Sequence, residues 1–163
     1  MPPAPHARRP LKTRDTRWAR TLAAWLAGQR VAPNAISLAS LDFAALGAVA
    51  MLAAPAAAAG GRMALFILAA ACVQLRLLCN MLDGMVAVEG GMGSRSGEVF
   101  NEVPDRIADP LLLVPAGYAA GLPFGPELGW LCGLLALFTA YIRALGGAAG
   151  LHQDFQGAMA KPQ

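Results

Sequence analysis

Apolar residues run through the chain in long blocks, separated by short polar interruptions. Four blocks reach the ~20 residues a helix needs to cross a bilayer core: 33–55, 63–84, 99–120 and 126–147. No run sustains the strict alternation of a strand, and Ala and Leu dominate over Val, Ile and the aromatics. The pattern predicts an all-α integral membrane protein, a helical bundle with four transmembrane helices. Ahead of the first block, Trp18, Leu22, Trp25 and Leu26 recur on one helical face, with Arg14, Arg17 and Arg20 mostly elsewhere. A helix of that kind, starting near Leu11, would lie in the membrane interface with its cations toward anionic headgroups.

The chain therefore divides into a basic tail with an interfacial helix, residues 1–30, and a transmembrane domain, residues 31–163. Pro2, Pro3, Pro5 and Pro10 make the tail's beginning irregular. No cleavable signal is expected, because the first long apolar run is of spanning length. Composition agrees: hydrophobic residues are 56% of the 163 and charged residues 14%, far from a soluble average.

Charge adds an orientation. Arg8, Arg9, Lys12, Arg14, Arg17, Arg20 and Arg30 precede the first block. Basic residues mark cytoplasmic segments, so the N-terminus is expected inside, the 56–62 loop outside, the 88–97 loop inside and the 121–125 loop outside. Arg95, Arg143 and Lys161 then join the cytoplasmic side, and Arg62 lies outside. The expected location is the cytoplasmic (inner) membrane. The basic tail is assigned to the membrane surface, and no nucleic-acid partner is expected. Cys72, Cys79 and Cys132 fall within spans without metal-type spacing and read as packing residues. His6 and His152 are isolated, and "GGMGSRSG" lacks the Lys-Ser/Thr ending and flanking strand of a nucleotide loop.

Against this background Asn80 to Asp105, "NMLDGMVAVEGGMGSRSGEVFNEVPD", is conspicuously polar. Polar groups in an apolar membrane chain are expensive and usually mark a working site. At ~100° per residue, Asn80, Asp83, Gly84 and Ala87 share one part of a helix surface, and Arg76 points the same way. Glu98, Asn101, Glu102, Asp105 and Asp109 form a stripe on the next helix. A short glycine-rich loop is expected to return that helix as an antiparallel neighbour, so two oxygen-rich stripes would face each other at the cytoplasmic surface. Oxygen ligands without His or Cys suit hard cations such as Mg²⁺, Mn²⁺ or Ca²⁺. The same acids would also serve as helix caps, as Glu98 could at the third span, but capping does not account for Asp105 and Asp109, one and two turns further in. Asp42, about nine residues into the first span, needs a cation or a proton, and Arg76 at similar depth is its expected partner.

The segment resembles the signature of the CDP-alcohol phosphotransferases (CDP-alcohol phosphatidyltransferases), Asp-x2-Asp-Gly-x2-Ala-Arg, about eight residues, then Gly-x3-Asp-x3-Asp. Here Asn80, Asp83, Gly84 and Ala87 are followed, after the same interval, by Gly97, Asn101 and Asp105. "PNAIS", Pro33 to Ser37, is similar to the Pro-Asn-x-x-Thr/Ser that opens the family's first span. The resemblance implies transfer of a phosphatidyl or related phospho-alcohol group from a CDP-linked lipid such as CDP-diacylglycerol to a small alcohol acceptor, with release of CMP. It implies Mg²⁺ or Mn²⁺ held by Asn80, Asp83, Asn101 and Asp105, Asp105 also as base, and Gly84, Ala87 and Gly97 admitting the cytidine diphosphate. Arg143 and Lys161 lie where such enzymes bind the acceptor, and a homodimer is implied. Asn80 and Asn101 replace two acids of the pattern, which should weaken metal affinity, and Val88 replaces its Arg, for which Arg95 or Arg106 would stand in. Glu102 and Asp109 add acids on the same stripe. The family usually has six spans, so a chain of four is expected to be C-terminally truncated or shortened. The alternative is an inactive CDP-lipid or metal-binding protein of the same fold. A cation transporter would spread its acids through the membrane depth, whereas here they cluster at one end, apart from Asp42.

Overall fold

The computed structural model describes residues 16–91 and 95–150, with side chains from Glu102 onward in the second stretch. All regular structure there is helical: α1 (Arg17–Gly28), α2 (Pro33–Ala53), α3 (Ala59–Glu89), α4 (Arg95–Ala119) and α5 (Gly125–Ala148). Pro33 begins α2, a position where proline's missing N–H is harmless and its fixed φ suits the helix. A 3₁₀ turn at Ala54–Ala56 ends it.

Among the described residues, three helices are long and apolar enough to span a membrane: Pro33–Ala56, Ala59–Glu89 and Gly125–Ala148. The 99–120 block does form a helix, α4, but it does not qualify by composition. The reason is the charge gathered in its first half, with Glu102, Asp105, Arg106 and Asp109 in two turns. At 31 residues α3 is ~46 Å long, well beyond a ~30 Å hydrocarbon core. If Ala59 sits at one edge, the segment from Asn80 onward emerges at the other.

The α3–α4 connection is shorter than the 88–97 loop expected, since Val88 and Glu89 still belong to α3 and α4 starts at Arg95. The adjacency expected for these two helices also differs. α2 packs along both, and α3 and α4 touch each other only slightly. The spatial order is α3, α2, α4, α5. Gly47 shows why α2 fits between its neighbours: a Cβ there would come 3.2 Å from Cys72 Cβ on α3 and 3.4 Å from Leu112 on α4.

The α4–α5 seam is made of glycine. Gly125, Gly129 and Gly133 line the buried face of α5, and a Cβ on Gly129 would lie 2.9 Å from the Val114 carbonyl oxygen and 3.1 Å from Gly117 Cα. Backbones approach this closely only where side chains are absent, a recurrent packing mode of membrane helices.

α1 lies against the end of α3 that carries Asp83. Ala19 and Ala23 are fully buried against Met81, Leu82 and Val86, with Leu22 and Leu26 beside them. The docking face is thus the small-residue one, and Trp18 and Trp25 stay exposed. α1 begins at Arg17 rather than near Leu11, and the tail before Thr16 lies outside the described residues.

Candidate functional site

The polar stripe of α3 and that of α4 do meet, bridged by side chains rather than by helix contact. Arg76 is 5% exposed, although it carries a full charge. Its Nη2 donates to Asp105 Oδ1 at 2.7 Å and to Asp109 Oδ1 at 3.2 Å. The Asn80 amide Nδ2 donates to the same Asp105 oxygen. Arg76, Asn80 and Asp83 follow one another at helical spacing along α3, and Asp105 and Asp109 are one turn apart on α4. Two carboxylates therefore converge on one guanidinium.

α2 supplies the third wall. Ser37 Oγ donates to Asp83 Oδ2 at 2.7 Å, Ser40 Oγ to the Ser37 carbonyl at 2.6 Å, and both serines are buried. Buried polar groups need such partners, because an unmet one costs its full desolvation. Asp83 is 2% exposed, so this hydrogen bond lies away from water. Ser37 closes the "PNAIS" segment; its partner 46 positions away could not be read from that segment.

Toward α5 the network continues. Arg106 Nη2 reaches Asp105 Oδ2 at 3.9 Å and Glu102 Oε2 at 3.3 Å. Arg143 Nη2 donates to both Glu102 carboxylate oxygens at 3.2 Å. Arg76, Arg106 and Arg143 face Glu102, Asp105 and Asp109, and with the buried Asp83 the described cluster holds four acids and three arginines. The buried Arg76 Nε has no hydrogen-bond acceptor among the described residues.

The Asp42–Arg76 pair expected from their depth does not form. Asp42 is exposed on the outer side of α2, five residues beyond Ser37 and hence ~140° around the helix, while Arg76 turns to α4. Of the other expected site residues, Gly84 and Ala87 are half-buried on α3 near Asp83. Gly97 and Asn101 lie in the first turns of α4, where the backbone alone is described, and Lys161 lies outside the described residues. Arg143 sits on α5 and is engaged by Glu102.

The described donors, as arranged, do not fit a resident two-cation centre. Asn80 turns an N–H rather than its carbonyl toward Asp105, and that carboxylate oxygen already accepts from Arg76. No three His, Cys, Asp or Glu side chains among the described residues are grouped to hold a metal ion.

Similarity to known proteins supports the architecture. "Inner membrane protein YnbA" of Escherichia coli (strain K12) is 34% identical over 135 residues, which cover 77% of this chain and 64% of that protein. The chain thus spans less than two thirds of that relative's length. No family model matches, and no solved structure matches. The apolar helices and the membrane relative together identify the chain as a helical integral membrane protein.

Proposed function

We propose that the chain is a phosphotransferase of the CDP-alcohol type in the cytoplasmic membrane. It would move a phosphatidyl or related phospho-alcohol group from a CDP-linked lipid to an acceptor hydroxyl. The observation that supports this most is convergence. Asn80, Asp83 and Asp105, whose spacing resembles the signature, are gathered with Ser37 of "PNAIS" into one buried polar cluster at the end of α3. A packing role alone would not call for four acids and three arginines at one level of an apolar bundle.

In this reading the acceptor hydroxyl attacks the β-phosphorus of the CDP-lipid. The new P–O bond forms as the bond to CMP breaks, and the hydroxyl proton passes to Asp105. Its two oxygens divide the work. Oδ1 is held by Arg76 and Asn80, which fix the carboxylate's orientation, and Oδ2 is the side turned toward Arg106 and available for the proton. The leaving CMP carries negative charge, and positioned guanidinium groups stabilise charge of that kind. The exposed Trp18 and Trp25 of α1 suit a helix lying at the headgroup level. A cluster on the cytoplasmic side is where CDP-lipids and water-soluble acceptors meet.

A second reading, binding of CDP-lipid without turnover, draws on the same Asp105. Both hydrogen bonds to Asp105 Oδ1 would serve equally to hold the carboxylate as a fixed part of a binding site. The two readings separate by measuring CMP release from CDP-diacylglycerol by the full chain in lipid vesicles, against a panel of small alcohol acceptors. The expected result is acceptor-dependent CMP release that Asp105→Asn lowers by ~10²-fold or more while CDP-lipid binding persists. Binding with no release from any acceptor would favour the second reading. Neither binding nor release would end both.

A further inference from the structure

Arg76 is the buried charge that the phosphotransferase resemblance does not use. It stands one helical turn before Asn80, and its guanidinium holds two carboxylates of α4, Asp105 and Asp109. In the signature this chain resembles, position 80 would be an acid. An Asp there would bring its oxygen against Asp105 Oδ1, and two carboxylate oxygens approach closely only with a cation or a shared proton between them. Asn80 instead offers an N–H to that oxygen, and Arg76 brings the positive charge. The two residues form one device: neutral amide beside the carboxylate, guanidinium across it.

We propose that Arg76 takes the place of a resident divalent cation, holding Asp105 and Asp109 with the protein's own charge. Electrostatics favours this arrangement. A divalent ion reaching Asp105 and Asp109 would have to displace, against its positive charge, a guanidinium already 2.7 Å from one carboxylate and 3.2 Å from the other. Arg76 and Asp105 are 6% and 12% exposed at their side chains, so water would do little to screen that competition. Planar guanidinium also stays charged at any accessible pH. The carboxylates are therefore positioned independently of the metal supply, and Arg76 is a positioning residue for Asp105. This proposal rests on the phosphotransferase reading for what the cluster is used for, so its test uses the metal alone.

The test takes the full chain in detergent micelles, stripped with EDTA and titrated with Mn²⁺ while free Mn²⁺ is followed by electron paramagnetic resonance. The unmodified protein is expected to show no site tighter than ~1 mM, the weak end of protein oxygen-ligand sites. The double variant Arg76→Gln/Asn80→Asp, which removes the guanidinium and restores an acid, should gain a site at least ~10-fold tighter. Adding Asp105→Asn to it should abolish that site. Mn²⁺ binding to the unmodified protein below ~1 mM, lost on Asp105→Asn, would overturn the proposal. So would a folded double variant that gains no site. If the double variant does not fold, judged by its elution as a single species, the comparison of unmodified protein with Asp105→Asn decides. CMP release is measured separately with and without EDTA. Absence of CMP release would remove the phosphotransferase reading and leave the Mn²⁺ result standing.

Discussion

Arg76→Met removes one guanidinium that two carboxylates share. The three side chains are 6%, 12% and 8% exposed, so solvent cannot replace what is lost. Deleting one partner of a buried ion pair costs ~3–5 kcal/mol, because it leaves uncompensated charge behind. Asp105 keeps the Asn80 amide and the more distant Arg106, which favours the lower end. For a chain of this size each kcal/mol moves the melting temperature by ~2–4 °C, so Arg76→Met should melt ~6–12 °C lower. Neutralising the partners as well changes the sign of the argument. A buried ionic group replaced on both sides is often close to neutral in stability. Arg76→Met/Asp105→Asn/Asp109→Asn should therefore recover more than half of the single variant's loss. Melting is followed by dye fluorescence in one detergent at one scan rate, since unfolding of membrane proteins is commonly irreversible. The reasoning fails if Arg76→Met melts within ~2 °C of the unmodified protein, or if the triple variant melts below the single one, as additive losses would require.

Three further outcomes are expected. Gly129→Val should separate α4 from α5, because its Cβ would meet backbone at 2.9 Å, whereas Gly60→Val, with nothing within 4 Å, should be tolerated; yield of monodisperse protein distinguishes them. Ser37→Ala leaves buried Asp83 without its 2.7 Å donor and should cost ~1–3 kcal/mol, seen as a lower melting temperature that Ser37→Thr restores. In a background with Cys72, Cys79 and Cys132 replaced by Ala, an impermeant maleimide should label Gly60→Cys in intact cells and Ser94→Cys only after lysis. The reverse pattern would put the cluster on the outer face and refute the cytoplasmic assignment.

How much of this was legible beforehand differs from helix to helix. The spans α2, α3 and α5 were readable because an apolar run of ~20 residues has few other fates. α4 was counted among them by its length, although the charges in its first half make it less apolar than the other three. A short loop was taken to make α3 and α4 neighbours. Loop length limits the distance between two helix ends, not the packing along their lengths, and the small residues of α2 allowed that helix between them. The sequence did contain a signal for the tight α4–α5 seam, Gly125-x3-Gly129-x3-Gly133, which hydropathy overlooks because it scores glycine as nearly neutral.

The cluster itself shows where one-dimensional reasoning ends. That Arg76, Asn80 and Asp83 share a stripe follows from helical periodicity alone. Which group Arg76 would meet did not, because matching depth in the membrane leaves the rotation of each helix about its axis undetermined. Asp42 matched Arg76 in depth and faces outward; Asp105 and Asp109 lay in a different helix and face inward. Physically the outcome is the less costly one. Turned inward, Arg76 meets two carboxylates that would otherwise be buried together with like charge, and each of the three would be more costly alone than the set is together.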